Sequence, residues 1–199
     1  LQGHRGARGL APENTLPGFA LTLGIGVTTL ELDIAITRDD VLVIHHDRSL
    51  NPDITRDAEG RFLDARGPVI RSLAFDELQR FDVGRLKPGT AYSKNYPQQQ
   101  PIDGARIPRL ADLFALVRKS GNHKVRFAIE TKLSPFNAEE AVAPEAFARA
   151  VVAAIREAGG EAVSVYHEVS TKDGAIGAIE TTMDAYDRID IVVNNAGIL

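Results

Sequence analysis

Three short stretches of the chain are almost wholly apolar and end in polar chemistry. Leu30-Glu31-Leu32-Asp33-Ile34 runs into the turn Thr37-Arg38-Asp39-Asp40, Val41-Leu42-Val43-Ile44 runs into His45-His46-Asp47, and Val125 to Ile129 runs into Glu130-Thr131-Lys132. Runs this short, rich in Val, Ile and Leu, predict buried strands. Between and after them the apolar spacing lengthens to the helical period. Asn14 or Thr15 caps a helix through Phe19-Ala20-Leu21 that stops at Gly24 or Gly26. Leu110 to Lys119 is amphipathic, with Pro108 ahead of it and Gly121 behind. Pro144 opens a helix over Glu145–Glu157 closed by Gly159-Gly160. Ala162–Val169 predicts a strand, Lys172–Tyr186 a helix, and Ile189–Val193 a last strand ending in Asn194-Asn195-Ala196-Gly197. Strand and helix alternate, which is the rhythm of an α/β fold with parallel strands.

From Arg48 to Arg106 the periodicity loosens. Asn51-Pro52-Asp53, Ala58-Glu59-Gly60 and Lys87-Pro88-Gly89 are turn signals, and Ser72 caps a short helix over Leu73–Phe81. Tyr92, Tyr96 and Gln98-Gln99-Gln100-Pro101 predict an ordered loop. The segment reads as a long insertion, either a lid with a functional part or a simple cover.

The chain has 199 residues, enough for one sizeable core and short of the ~250 residues of a complete eight-stranded α/β barrel. A formal charge of -4 argues against a nucleic-acid partner. No cysteine is present, which removes disulfides and thiolate chemistry. No apolar run has membrane-spanning length. The sequence begins at Leu1, so a leading segment is expected to have been trimmed.

Chemistry enters with Glu31 and Asp33. Alternation on a strand points both carboxylates to one face. Their repulsion in a buried setting calls for a divalent cation on oxygen ligands, for Arg or Lys partners, or for a raised pKa. Each predicted strand ends in charged or imidazole groups, and Gly3-His4-Arg5-Gly6 follows the remnant of another at Leu1. The C-terminal ends of parallel barrel strands are where an active site is built.

Residues 1 to about 157 resemble the glycerophosphodiester phosphodiesterase family. The resemblance is carried by His4-Arg5-Gly6, Pro12-Glu13-Asn14-Thr15, Glu31-Leu32-Asp33, His46-Asp47, Ile107-Pro108-Arg109-Leu110 and Ile129-Glu130-Thr131-Lys132, in that order. The insertion with Tyr92 is also similar, in a form found in exported bacterial members, so a periplasmic or secreted location is implied. The resemblance implies a TIM-barrel phosphodiesterase that hydrolyses small glycerophosphodiesters to an alcohol and glycerol 3-phosphate. Glu31, Asp33 and Glu130 would hold Ca2+ or Mg2+, His4 and His46 would be the acid/base pair, and Arg5 and Lys132 would take the phosphate oxygens. Glu13, Asn14 and Asp47 would support these groups from behind. Alternation turns His45 away from His46, and His45, His123 and His167 read as structural or surface histidines.

The end of the chain departs from that family. From about Ala153 to Leu199 it resembles the middle of a short-chain dehydrogenase/reductase, closing on Asn194-Asn195-Ala196-Gly197. No Gly-rich fingerprint and no following Tyr with a Lys four residues on are present, so no cofactor-binding residue is assigned and the tail is no oxidoreductase by itself. The expected architecture is a half-barrel over 1–157, with its insertion at 48–106, continued by a Rossmann-like βαβ fragment over 158–199. Two rivals stand beside the hydrolase: a catalytically silent chimera, and a nucleotide-binding module led by the tail.

Overall fold

The computed structural model describes residues 1–133, 138–165, 167, 169–190 and 192. It divides into two compact units, Leu1–Ala154 and Ile155–Leu199. The first holds four strands: β1 (Gln2–Gly3), β2 (Thr29–Ile36), β3 (Leu42–Ile44) and β4 (Arg126–Thr131). Thr29 pairs with both Gln2 and Arg126, and Ile34 with both Ile44 and Thr131. A strand has two edges, so β1 and β3 share one edge of β2 and β4 takes the other. β1 and β4 run parallel to β2.

β3 runs antiparallel to β2, which corrects the expectation of uniformly parallel strands. The connection Thr37–Val41 is too short for a crossover and makes a hairpin instead, with Asp40 in the left-handed region at φ 61°. β3 therefore runs back along β2, and His45, the next residue, comes level with Asp33.

Alternation along β2 splits its side chains cleanly. Leu30, Leu32, Ile34 and Ile36 enter a core with α1 (Leu16–Ile25), α4 (Leu110–Lys119) and the start of α5 (Pro144–Glu157). Glu31, Asp33 and Ala35 point to the other face, where Ala35 joins Val43, Leu50, Ile70, Leu78, Val83 and Ile107 in a second core beneath the insertion. The first core is helical cover, and the second pins the insertion over the polar face.

α1 forms where the sequence predicts it. Thr15 accepts a hydrogen bond from the Gly18 amide at 3.2 Å, and Gly26 at φ 85° closes the last turn. Gly18 has no substitute, because a Cβ there would lie 2.6 Å from the Pro12 carbonyl oxygen. α4 and α5 also keep their expected bounds.

The insertion is more broken than its pattern predicts. Instead of one helix over Leu73–Phe81 there is a 3-10 turn at Ile70–Ser72 and a four-residue α2 (Phe75–Leu78). The Ser72 hydroxyl donates back to the Val69 carbonyl, and Glu77 accepts the Ala74 amide at 2.8 Å in its place. A further helix, α3 (Ala91–Asn95), is capped by Thr90 in what the sequence reads as loop.

In the second unit the helix α6 (Lys172–Tyr186) forms as expected. The described residues of Ala162–Val169 and of Ile189–Val193 are not in strands. Asn194-Asn195-Ala196-Gly197 lies outside the described residues.

Candidate active site

Register brings three carboxylates together. Asp33 and Glu130 are directly paired residues on β2 and β4, and Glu31 lies two positions before Asp33 on the same face. One oxygen of each lies within 4.8 Å of the others. Oxygens bound at 2.3–2.6 Å to one Ca2+ can stand up to about 5 Å apart, so the donor set suits a hard cation. Burial, together with repulsion from Asp33 and Glu130, raises the Glu31 carboxyl above its ordinary pKa despite the Arg5 amide. Asp33 moves the other way: burial favours its neutral form, but Asn14 and Lys132 hold it below its ordinary value.

The cationic groups come from two sides. Lys132, just past β4, places its ammonium 2.9 Å from Asp33 Oδ1 and 2.6 Å from Glu130 Oε1. Arg5 and Asn14 both adopt left-handed backbone, φ 52° and 53°, a strained choice for side chains of this kind that clusters at working sites. The Arg5 amide donates to Glu31 Oε2 at 2.6 Å, and its Nη1 donates to Glu13 Oε1 at 3.0 Å. Its Nε is buried without a hydrogen bond, 3.4 Å from Asp33 Oδ2. Asn14 Nδ2 donates to the same Asp33 oxygen at 3.0 Å.

Each of the two predicted histidines makes one contact that fixes which nitrogen of the neutral ring carries its hydrogen. His46 donates through Nδ1 to Asp47 Oδ1 at 2.7 Å, and Asn51 Nδ2 holds the other Asp47 oxygen at 2.8 Å. In the neutral ring this tautomer leaves a lone pair on Nε2. Burial pushes the Asp47 carboxyl up, but the His46 bond and the positive neighbourhood hold it far below its usual range. His46 opens with Glu130, Lys132, Arg48 and Arg66 into a cleft of about 540 Å3. His4 lies with Nε2 3.8 Å from Glu31 Oε2. A guanidinium can only donate, so the 3.0 Å contact from Arg8 Nη2 to His4 Nδ1 leaves the neutral ring's hydrogen on Nε2. Burial, then the charges of Arg8 and Arg5, lower the His4 pKa.

His45 is not turned away from the carboxylates as expected. Its amide bonds the Asp33 carbonyl at 2.9 Å, one step beyond the Ile34–Ile44 pair, so the register sets it on the carboxylate face. β3 ends at Ile44, and the facing of His46 no longer follows from the strand period. His45 is buried, donates through Nδ1 to the Asp47 carbonyl at 2.8 Å, and leaves Nε2 without a partner. It is not among the three clustered carboxylates' metal set. His123 and His167 are exposed. Three contributors are given no site role from the sequence: Asn51 behind Asp47, Arg8 behind His4, and the Tyr92 hydroxyl on Glu13.

The pattern of the glycerophosphoryl diester phosphodiesterase family matches residues 4–187. The chain belongs to this family. The match runs past the expected junction near residue 157 and through α6. A putative glycerophosphodiester phosphodiesterase of Bacillus subtilis is 33% identical over 133 residues, 66% of this chain and 44% of that protein. A solved family structure, a putative glycerophosphoryl diester phosphodiesterase from Silicibacter pomeroyi, is 36% identical with a TM-score of 0.74 over 79% of this chain and 53% of its own. An Oleispira antarctica phosphodiesterase, solved with its product sn-glycerol 3-phosphate, is 26% identical with a TM-score of 0.53 over 78% of this chain and 51% of its own. The chain thus spans about half the length of the phosphodiesterases it matches. A different likeness covers 29% of the chain: a putative short-chain type dehydrogenase/reductase of Mycobacterium tuberculosis is 49% identical over 57 residues, 20% of that protein.

Proposed function

We propose that the chain carries the metal-binding and proton-transfer half of a phosphodiesterase that converts a glycerophosphodiester and water to an alcohol and glycerol 3-phosphate. The observation that carries this reading is the convergence of Glu31, Asp33 and Glu130 on one face of the sheet. These three would hold Ca2+ or Mg2+, and the ion would supply positive charge to the phosphodiester oxygens and a site for a substrate hydroxyl. Arg5 and Lys132, already beside the carboxylates, would bind and orient the phosphate.

Proton traffic follows from the two tautomers. His46 offers the lone pair of Nε2 and takes a proton from the attacking water as its oxygen bonds to phosphorus, while Asp47 stabilises the imidazolium that results. His4 offers Nε2–H to the oxygen of the departing alcohol. Full proton donation needs a charged His4 ring, which displaces Arg8 from Nδ1.

The parallel strands β1, β2 and β4 would be the start of a barrel, with the 48–106 insertion on its active-site side. The likeness to a dehydrogenase supports a second origin for part of the chain. Without a phosphate-cradling glycine motif it would bind no dinucleotide, and neither NAD nor NADP should raise the melting temperature.

Glycerophosphocholine hydrolysis with and without a chelator tests the reading. Turnover that stops on chelation and returns with Ca2+ or Mg2+ supports it. Metal binding without turnover would identify a silent chimera that keeps the site.

A further inference from the structure

The insertion reaches into the site through one side chain. Tyr92 lies in the first turn of α3, and its hydroxyl donates to Glu13 Oε2. The other Glu13 oxygen accepts Arg5 Nη1 at 3.0 Å, and the same Nη1 stands 3.4 Å from the Tyr92 oxygen. Two segments distant in sequence, the loop that carries Arg5 and Glu13 and the helix α3, therefore close a triangle of hydrogen bonds. Burial, with the Glu13 charge next, pushes the Tyr92 phenol well above its ordinary pKa, so the group stays a donor.

The triangle is braced from outside. The Tyr96 ring packs edge-on to Tyr92 at 5.3 Å and lies under the Arg8 guanidinium at 4.7 Å. Gln99 Nε2 donates to the Arg8 carbonyl at 2.7 Å, and the Gln100 amide to the Leu10 carbonyl at 2.9 Å. These contacts tie the end of the insertion to the loop that presents His4 and Arg5. With Nη1 anchored on Glu13 and Tyr92, Arg5 Nε is left on the Asp33 side, buried and with no hydrogen bond of its own. An anchored guanidinium loses less freedom when an anion arrives.

We propose that Tyr92 is a positioning residue for Arg5: acting through Glu13, it fixes the guanidinium toward the carboxylate cluster, so the insertion sets the grip on the phosphate as well as covering the site. The proposal rests on the reading of Arg5 as a phosphate-binding group. Glu13 is the relay, since its carboxylate keeps two donors only while the tyrosine hydroxyl is present. Tyr92→Phe removes that hydroxyl and keeps the ring that meets Tyr96.

The test is a calorimetric titration of the full chain with sn-glycerol 3-phosphate in the presence of Ca2+. A hydrogen bond to a charged group corresponds to an expected weakening of about tenfold in Tyr92→Phe. In an Arg5→Gln background the same change should alter affinity by less than about twofold, because coupled residues are not additive. An unchanged affinity in Tyr92→Phe, or a full tenfold loss in the Arg5→Gln background, would overturn the proposal. A second readout does not depend on ligand binding: the rate at which phenylglyoxal modifies Arg5, followed by peptide mass mapping. That rate should rise several-fold in Tyr92→Phe, and an equal rate in both proteins would also overturn it. If the unaltered chain binds no sn-glycerol 3-phosphate, the reading of the site fails, and the phenylglyoxal rates still decide whether Tyr92 fixes Arg5.

Discussion

The two compact units make opposite use of apolar sequence. In Leu1–Ala154 the β2 residues Leu30, Leu32 and Ile34 are fully buried, and polar groups as costly as Asp33 and Asn14 are buried with them. In Ile155–Leu199 no described residue is buried, and Val163, Val165, Ile176, Ile179 and Met183 are all exposed. The helix α6 nevertheless forms, while the described residues of the expected strand before it are not in one. A helix satisfies its backbone hydrogen bonds internally, whereas a strand needs a neighbour. Val163, Val165 and Val169 keep a strand's alternation, yet none of the three is in a strand. Chemistry follows the same division, because a buried charge can be held only where a packed scaffold brings it partners.

Substitutions sharpen the contrast. The largest effect is expected at His46. His46→Ala should lower glycerophosphocholine hydrolysis by ~10²–10⁴-fold, the usual worth of a proton-transfer group. His167→Ala, exposed on the second unit, should leave the rate unchanged. Equal losses at the two positions would break the division. Stability should show the next contrast. Leu32→Ala removes a fully buried side chain and should cost about 2–5 kcal/mol in denaturant unfolding. Ile179→Ala, half exposed on α6, should stay within about 0.5 kcal/mol. A matching cost at Ile179 would mean that the second unit has a core of its own.

The smallest effect is a shift in pH dependence. Arg8 lowers the His4 pKa, after burial. Arg8→Gln removes one lowering cause, so the His4 limb of the pH–rate profile should move to higher pH with little change in the maximal rate. A limb that stays in place, or moves to lower pH, would dissociate Arg8 from His4.

Much of this was legible in the chain. Period-two alternation is a local rule, and it put Glu31 and Asp33 on one face correctly. Helix signals were equally local, with Thr15 and Gly26 marking α1. The sequence failed where the answer depended on a partner. The facing of His45 and His46 turned on where β3 stops, which its antiparallel pairing with β2 fixes. The short helices of the insertion depend on Glu77 and Thr90 caps within a folded loop. The Tyr92–Glu13 bond joins positions 79 residues apart, and nothing local to either announces it.

The account turns on three carboxylates acting as one cation site. Its most direct test is a Ca2+ titration of the full chain and of Glu31→Gln, with circular dichroism to show that both are folded. The account predicts saturable binding at one site in the unaltered chain, weakened in Glu31→Gln by more than the ~10–100-fold typical of removing a merely supporting group. No Ca2+ or Mg2+ binding in the folded unaltered chain, or equal affinity in the two proteins, would contradict it.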